Sequence, residues 1–157
     1  MFSVSEIYAL AVQIEKNGES FYREASRKVS SPQLRSLLEY LADEEVKHIE
    51  TFTQKKEAFH SEKGQPALDE AGSAVLQEIL GGQRFSLEEV NLSEMEKAED
   101  FLQMALEFER DTILFFELIG SFIEDADTLE KLNEIIEEEN RHIKLLEDYR
   151  TVSVESA

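Results

Sequence analysis

The chain has 157 residues, 41% of them hydrophobic and 32% charged, with 35 acidic side chains against 16 basic ones and no cysteine. That length supports one domain with a continuous core, and the missing cysteines exclude disulfides, thiolate metal sites and thiol chemistry. A formal charge of −19 argues against nucleic acid or an anionic membrane as partner, since phosphate contacts need clustered Lys and Arg.

The first helix is predicted from about Ser5 to Val29. Ile7, Leu10, Ala11, Ile14, Gly18, Phe21, Tyr22 and Ala25 recur at helical spacing and form a broad apolar face. Glu15 falls inside that stripe. A second helix is predicted from Ser31-Pro32, Ser31 as the cap and Pro32 in the first turn. Its stripe runs Leu34, Leu37, Leu38, Leu41, Ala42, Glu45, His48, Ile49, Phe52. Both polar members interrupt a face that otherwise reads as core.

The segment from about 60 to 92 holds Gly64, Pro66, Gly72, Gly81 and Gly82, and is expected to be a crossover along a helical bundle rather than a tight turn. Within it, Leu68 to Leu80 has the pattern of a short amphipathic helix, and His60 at its start reads as a surface residue. The third helix is predicted to start near Ser93, where Ser93-x-x-Glu96 resembles a capping box. It runs through Leu102, Ala105, Leu106, Phe108, Glu109, Ile113, Phe116 and Ile119 to about Ile123. The fourth is expected to follow Asp127 as cap, with the stripe Leu129, Leu132, Ile135, Ile136, Glu139, His142, Ile143, Leu146. No run is apolar enough to span a membrane, and the N-terminus lacks the basic and apolar regions of a signal peptide. A single soluble domain over residues 1–157, in the cytoplasm, is therefore expected.

An internal repeat orders these elements. At an offset of 94, Glu15 falls on Glu109, and Glu45-Val-Lys-His48 falls on Glu139-Asn-Arg-His142. Phe21-Tyr22 likewise falls on Phe115-Phe116, and Leu38 on Leu132. The chain therefore reads as an all-α four-helix bundle of two repeated antiparallel hairpins. Glu15 and Glu45 each stand 15 residues from position 30, and Glu109 and Glu139 each 15 from position 124. At about 1.5 Å rise per residue, all four carboxylates lie roughly 22 Å from their turns, near mid-bundle.

Glu-x-x-His places a carboxylate and an imidazole one turn apart on one helix face. Two such helices, plus one Glu from each of two others, make the ligand set of a dinuclear carboxylate site. A buried carboxylate is costly unless paired or metal-bound, and four together must share protons when no metal is present. Two divalent cations cancel four negative charges, and the oxygen and imidazole donors suit iron or manganese, with zinc as a competitor. A lone Glu-x-x-His on a Glu-rich helix is more often accidental, and Glu15 or Glu109 alone would pass for a tolerated polar residue. Six such residues at one height would not. Tyr22, two turns after Glu15, reads first as a core tyrosine. Alternatively it donates to a ligand carboxylate or acts in electron transfer. Phe115 and Phe116 read as core.

With Glu15, Glu45-x-x-His48, Glu109 and Glu139-x-x-His142 in place, the chain resembles the ferritin-like diiron carboxylate superfamily, and within it the rubrerythrin-like branch. The resemblance covers nearly the whole chain. It implies bridging roles for Glu45 and Glu139, terminal carboxylates at Glu15 and Glu109, and terminal nitrogens at His48 and His142. It implies two iron ions, reduction of hydrogen peroxide or dioxygen, and a homodimer. Rubrerythrins proper also carry a cysteine-containing rubredoxin-like module. This chain has no cysteine, so an external donor such as a rubredoxin-type protein is expected. They also place an extra Glu three residues after the third-helix ligand, where this chain has Thr112. Ferroxidase or iron-handling activity, and a structural bundle with an adventitious metal, are the alternative readings.

Overall fold

Four helices make up the computed structural model, which describes residues 4–60 and 97–156: α1 (Val4–Lys28), α2 (Pro32–His60), α3 (Ala98–Gly120) and α4 (Ala126–Ser156). No strand occurs among the described residues, and no described helix is long and apolar enough to cross a membrane. The expected crossover, its short helix and Ser93 lie outside the described residues. His60 is the last residue of α2 rather than part of the connector.

Helix α1 packs along α2 and α3 along α4, while α1 also meets α3 and α2 meets α4. Two buried apolar clusters fix the directions. One gathers Ile7, Tyr8 and Ala11 from the start of α1 with Phe52 from the end of α2, Ile119 from the end of α3 and Leu132 from the start of α4. The other gathers Ala25, Leu34, Phe101 and Leu146 from the opposite ends of the same helices. The two hairpin turns therefore sit at opposite ends of the bundle, and α2 ends far from where α3 begins. Each fully buried Leu or Phe in these clusters contributes about 1.5–3 kcal/mol over an exposed one. Tyr8, left out of the stripe read from sequence, is buried against Phe52, with ring centroids 6.4 Å apart.

The helix ends were only partly predictable. Ser31 caps α2 as expected, its Oγ accepting from the Leu34 N–H at 3.2 Å. Arg35 then reaches back to the Ser26 and Val29 carbonyls at 3.3 and 3.1 Å, meeting α1's last orphan acceptors. Helix α3 begins at Ala98, with Lys97 as an extended cap that makes no side-chain bond, later than the expected start near Ser93. It ends at Gly120, with the chain continuing to Ile123 through bonds to the third residue back. Asp125, not Asp127, caps α4. Its Oδ2 accepts from both the Thr128 N–H at 2.9 Å and the Thr128 hydroxyl at 2.5 Å. Asp127 lies within the first turn and pairs with Lys55 across the bundle at 3.1 Å.

Candidate metal centre

The apolar stripes of all four helices are broken at one level. Glu15 on α1, Glu45 on α2, Glu109 on α3 and Glu139 on α4 are each 0% exposed, and His48 and His142 are each 2% exposed. They sit between the two apolar clusters, as the equal spacing from the turns predicted. Their donor atoms fall into two groups, Glu15, Glu45, His48, Glu139 and Glu45, Glu109, Glu139, His142, with the atoms of each group within 4.8 Å of one another. Glu45 and Glu139 belong to both. The His48 and His142 rings lie nearly parallel, 5.9 Å apart at 19°.

The polar contacts inside the layer are few for so many buried atoms. His48 Nδ1 stands 3.3 Å from Glu15 Oε2 and 2.8 Å from Glu139 Oε1. His142 Nδ1 stands 3.2 Å from Glu139, 3.6 Å from Glu109 and 3.7 Å from Glu45. Only the His48–Glu15 approach has hydrogen-bond alignment. One oxygen each of Glu15 and Glu109, both oxygens of Glu45 and Glu139, and His142 Nδ1 have no hydrogen-bond partner. Leaving such atoms orphaned costs roughly 1–3 kcal/mol each, a cost that divalent cations between them would remove. The orphans converge, are oxygen and imidazole donors, and number enough for two ions, so the residues present fit a dinuclear metal site.

Electrostatics tell the same story without metal. Burial pushes the Glu15 carboxyl up to about 8, with the Glu139 charge adding to the effect. Burial, then Glu139, likewise holds Glu109 well above the usual range. Glu139 goes the other way: burial opposes its charge, but close contacts with Glu109, His142 and His48 hold it well below. Burial would lower His142, yet Glu109 and Glu139 push it up to about 10. His48 is likewise raised against its burial, by Glu15 and then by Glu138 and Glu139. Protons on these groups stand in for the positive charge that the carboxylates require.

Tyr22 is fully buried, and its hydroxyl donates to Glu109 Oε1 at 2.5 Å. Tyr22 is thus a core tyrosine, as first expected, and it also contacts a candidate ligand; burial, with Glu109 beside it, holds the phenol well above its ordinary value. Thr112 is buried too, with its hydroxyl donating to the Phe108 carbonyl at 2.8 Å. No carboxylate occupies that place. Gly18, its counterpart in the first hairpin, carries no Cβ because one would stand 2.8 Å from the Phe108 ring.

Glu138 was missed in the sequence. Its Oε2 lies 2.6 Å from His48 Nε2, the imidazole edge facing away from the carboxylate layer. Within the run Glu137-Glu138-Glu139 it is indistinguishable from a solvated face. The rule that a ligating imidazole gives its second N–H to a carboxylate was the available clue.

A four-helix bundle enclosing paired carboxylate and imidazole groups is the architecture of ferritin-like diiron proteins. A ferritin-like diiron-carboxylate protein from Thermotoga maritima shares this fold, with a TM-score of 0.69 over 97% of each chain at 21% identity. The Rubrerythrin family profile matches residues 6–149, and the chain belongs to that family. No curated protein gives a significant match.

Proposed function

We propose that this chain holds two iron ions and reduces hydrogen peroxide or dioxygen with them. The observation that carries this reading is the pair of four-residue donor groups sharing Glu45 and Glu139. Glu45 and Glu139, common to both groups, would help hold both ions, with Glu15 and His48 completing the set for one and Glu109 and His142 for the other. Ferrous ions bound there would each supply one electron to the oxidant, and an external reductant such as a rubredoxin-type protein would restore them.

The chain's own contribution is geometric and electrostatic. Four helices fix the donors on rigid elements, and Tyr22 holds Glu109 in one orientation. Phe52, Phe108, Phe115 and Phe116 are buried on one side of the layer, and Tyr22, Leu41 and Leu106 on the other. They exclude water, so charges inside act at low dielectric.

The test is a hydrogen peroxide pulse applied to anaerobically iron-loaded protein with reductant present. Peroxide consumed in excess over bound iron supports the oxidoreductase reading. Retention of ferric iron well beyond two ions per chain would move the assignment to iron handling. Unchanged metal content in both Glu45→Ala and Glu139→Ala would show that the metal is adventitious.

A further inference from the structure

The two halves of the centre differ outside their ligands. On the Glu15 side, His48 is held at both nitrogens: Nε2 lies 2.6 Å from Glu138 Oε2, and Nδ1 faces Glu139 and Glu15 at 2.8 and 3.3 Å. With the Nε2 proton given to Glu138, Nδ1 is the nitrogen that faces the carboxylate layer and would bind an ion there in place of its proton, and the ring orientation is fixed from both sides.

His142 has no such tie. The residue at the offset of 94 from Glu138 is Glu44, and its carboxylate is engaged elsewhere. It accepts from the Tyr40 hydroxyl at 2.7 Å and pairs with Lys47 at 3.0 Å. Among the described residues no hydrogen bond or ion pair joins Glu44 to His142. The His142 ring instead meets the edge of Tyr40, centroids 6.5 Å apart at 78°. It also helps line a cavity of about 360 Å³ with Tyr40, Glu44, Glu138, Arg141 and Leu145.

The terminal carboxylates add to the difference. Tyr22 donates to Glu109 Oε1 at 2.5 Å, which draws electron density from that oxygen. Glu138 accepts from His48, which pushes density toward Nδ1. One contact weakens a donor of the Glu109/His142 position; the other strengthens a donor of the Glu15/His48 position.

We infer that Glu138 is a positioning residue that makes Glu15/His48 the tighter metal position, so that two ions enter in fixed order, with Glu109/His142 filled second. This rests on the dinuclear reading above. The partly buried carboxylate of Glu138 otherwise pairs with Arg141, at 3.8 Å, and belongs to neither group of converging donors.

The test is titration of the chelator-stripped, full-length chain with Co(II), followed by calorimetry and visible absorption. The parent is expected to bind two ions in two separable steps. Glu138→Ala should weaken the first step about 10- to 100-fold and merge it with the second. Glu138→Gln, which still accepts a hydrogen bond, should recover most of the loss, and Glu44→Ala should leave both steps in place. Equal affinities in the parent, a parent-like titration of Glu138→Ala, or equal weakening by Glu44→Ala would each overturn the inference. If instead the parent takes up no stoichiometric Co(II) at all, the dinuclear reading itself fails. Cooperative melting of the metal-free variants, with a modest fall for Glu138→Ala from the lost His48 contact, separates metal positioning from loss of fold.

Discussion

The Tyr22 hydroxyl donates to Glu109 Oε1 at 2.5 Å, while the residue at the matching place in the second hairpin, Phe116, has no hydroxyl to give Glu15. One terminal carboxylate thus has a phenol partner and the other an imidazole. Tyr22→Phe leaves Glu109 without that donor in a fully buried place. Metal-free Tyr22→Phe should lose about 1–3 kcal/mol, seen as a fall in Tm of roughly 2–4 °C per kcal/mol for a chain this long. Two ions should still bind at saturation, because the hydroxyl orients the Glu109 carboxylate and is not among the converging donor atoms.

Glu45 places both of its oxygens in the layer with no hydrogen-bond partner. Its replacement should therefore split stability from binding. Glu45→Leu is expected to raise the stability of the chelated protein, by about 1–3 kcal/mol where the larger apolar side chain fits. It should also abolish uptake at both positions, whereas Glu15→Ala and Glu109→Ala should each lower the count by one ion. Metal analysis of gel-filtered protein, with melting curves in chelator, measures both effects.

Stability without metal should fall as pH rises. Glu15, ordinarily near 4.5, is raised to about 8, and His142, ordinarily near 6.5, is raised to about 10. A group with a raised folded pKa stabilises the fold fully below its unfolded pKa and loses that contribution as pH passes its folded pKa. The loss runs from about 4.5 to 8 for Glu15 and from about 6.5 to 10 for His142. Glu139, held low, acts oppositely and matters only on the acid side. Denaturation midpoints in chelator should be clearly lower at pH 9 than at pH 6. Metal-loaded protein should show a much smaller difference, since ions replace the protons; equal slopes in the two states would refute this account of the layer.

Gly18 and Gly120 are predicted to respond differently to Ala. A Cβ at Gly18 would stand 2.8 Å from Phe108 Cε1, 3.0 Å from Cζ and 3.4 Å from the Glu45 carboxyl carbon. The buried ring has nowhere easy to go, so overpacking of about 1–3 kcal/mol should outweigh the gain of up to ~1 kcal/mol in helix propensity. Metal affinity should fall with it through Glu45. At Gly120 the nearest atoms stand at 3.4 and 3.5 Å, both ends of leucine side chains. Gly120→Ala should be neutral or slightly stabilising in the same melts.

The buried cluster was legible because its six residues contradict their surroundings: a carboxylate inside an apolar stripe stands out, and one offset relates the three residues of each hairpin. The helix count followed from the same periodicity. What stayed hidden depends on competition among equivalent local choices. Asp125 and Asp127 are both acceptable caps, and the helix start at Ala126, with the Thr128 N–H and hydroxyl both turned to Asp125, decides between them. Tyr8 lies beside Ile7 on the edge of its stripe, and packing against Phe52 from another helix is what buries it. Glu138 sits in an acidic run where one carboxylate of three meets an imidazole across the bundle, a fact of tertiary geometry alone.

The opposite placement of the two hairpin turns has an implication for how such a centre is assembled. One hairpin carrying Glu15 and Glu45-x-x-His48, set against an identical copy about a two-fold axis perpendicular to its helices, would present the same four carboxylates and two imidazoles. Neither half encloses anything alone. Joining the halves in one polypeptide frees each to change without its mirror image changing too. Tyr22 against Phe116, Gly18 against Thr112, and the different duties of Glu44 and Glu138 are such changes. Covalent linkage is thus what permits the two halves of a nearly symmetric cage to differ in their chemistry.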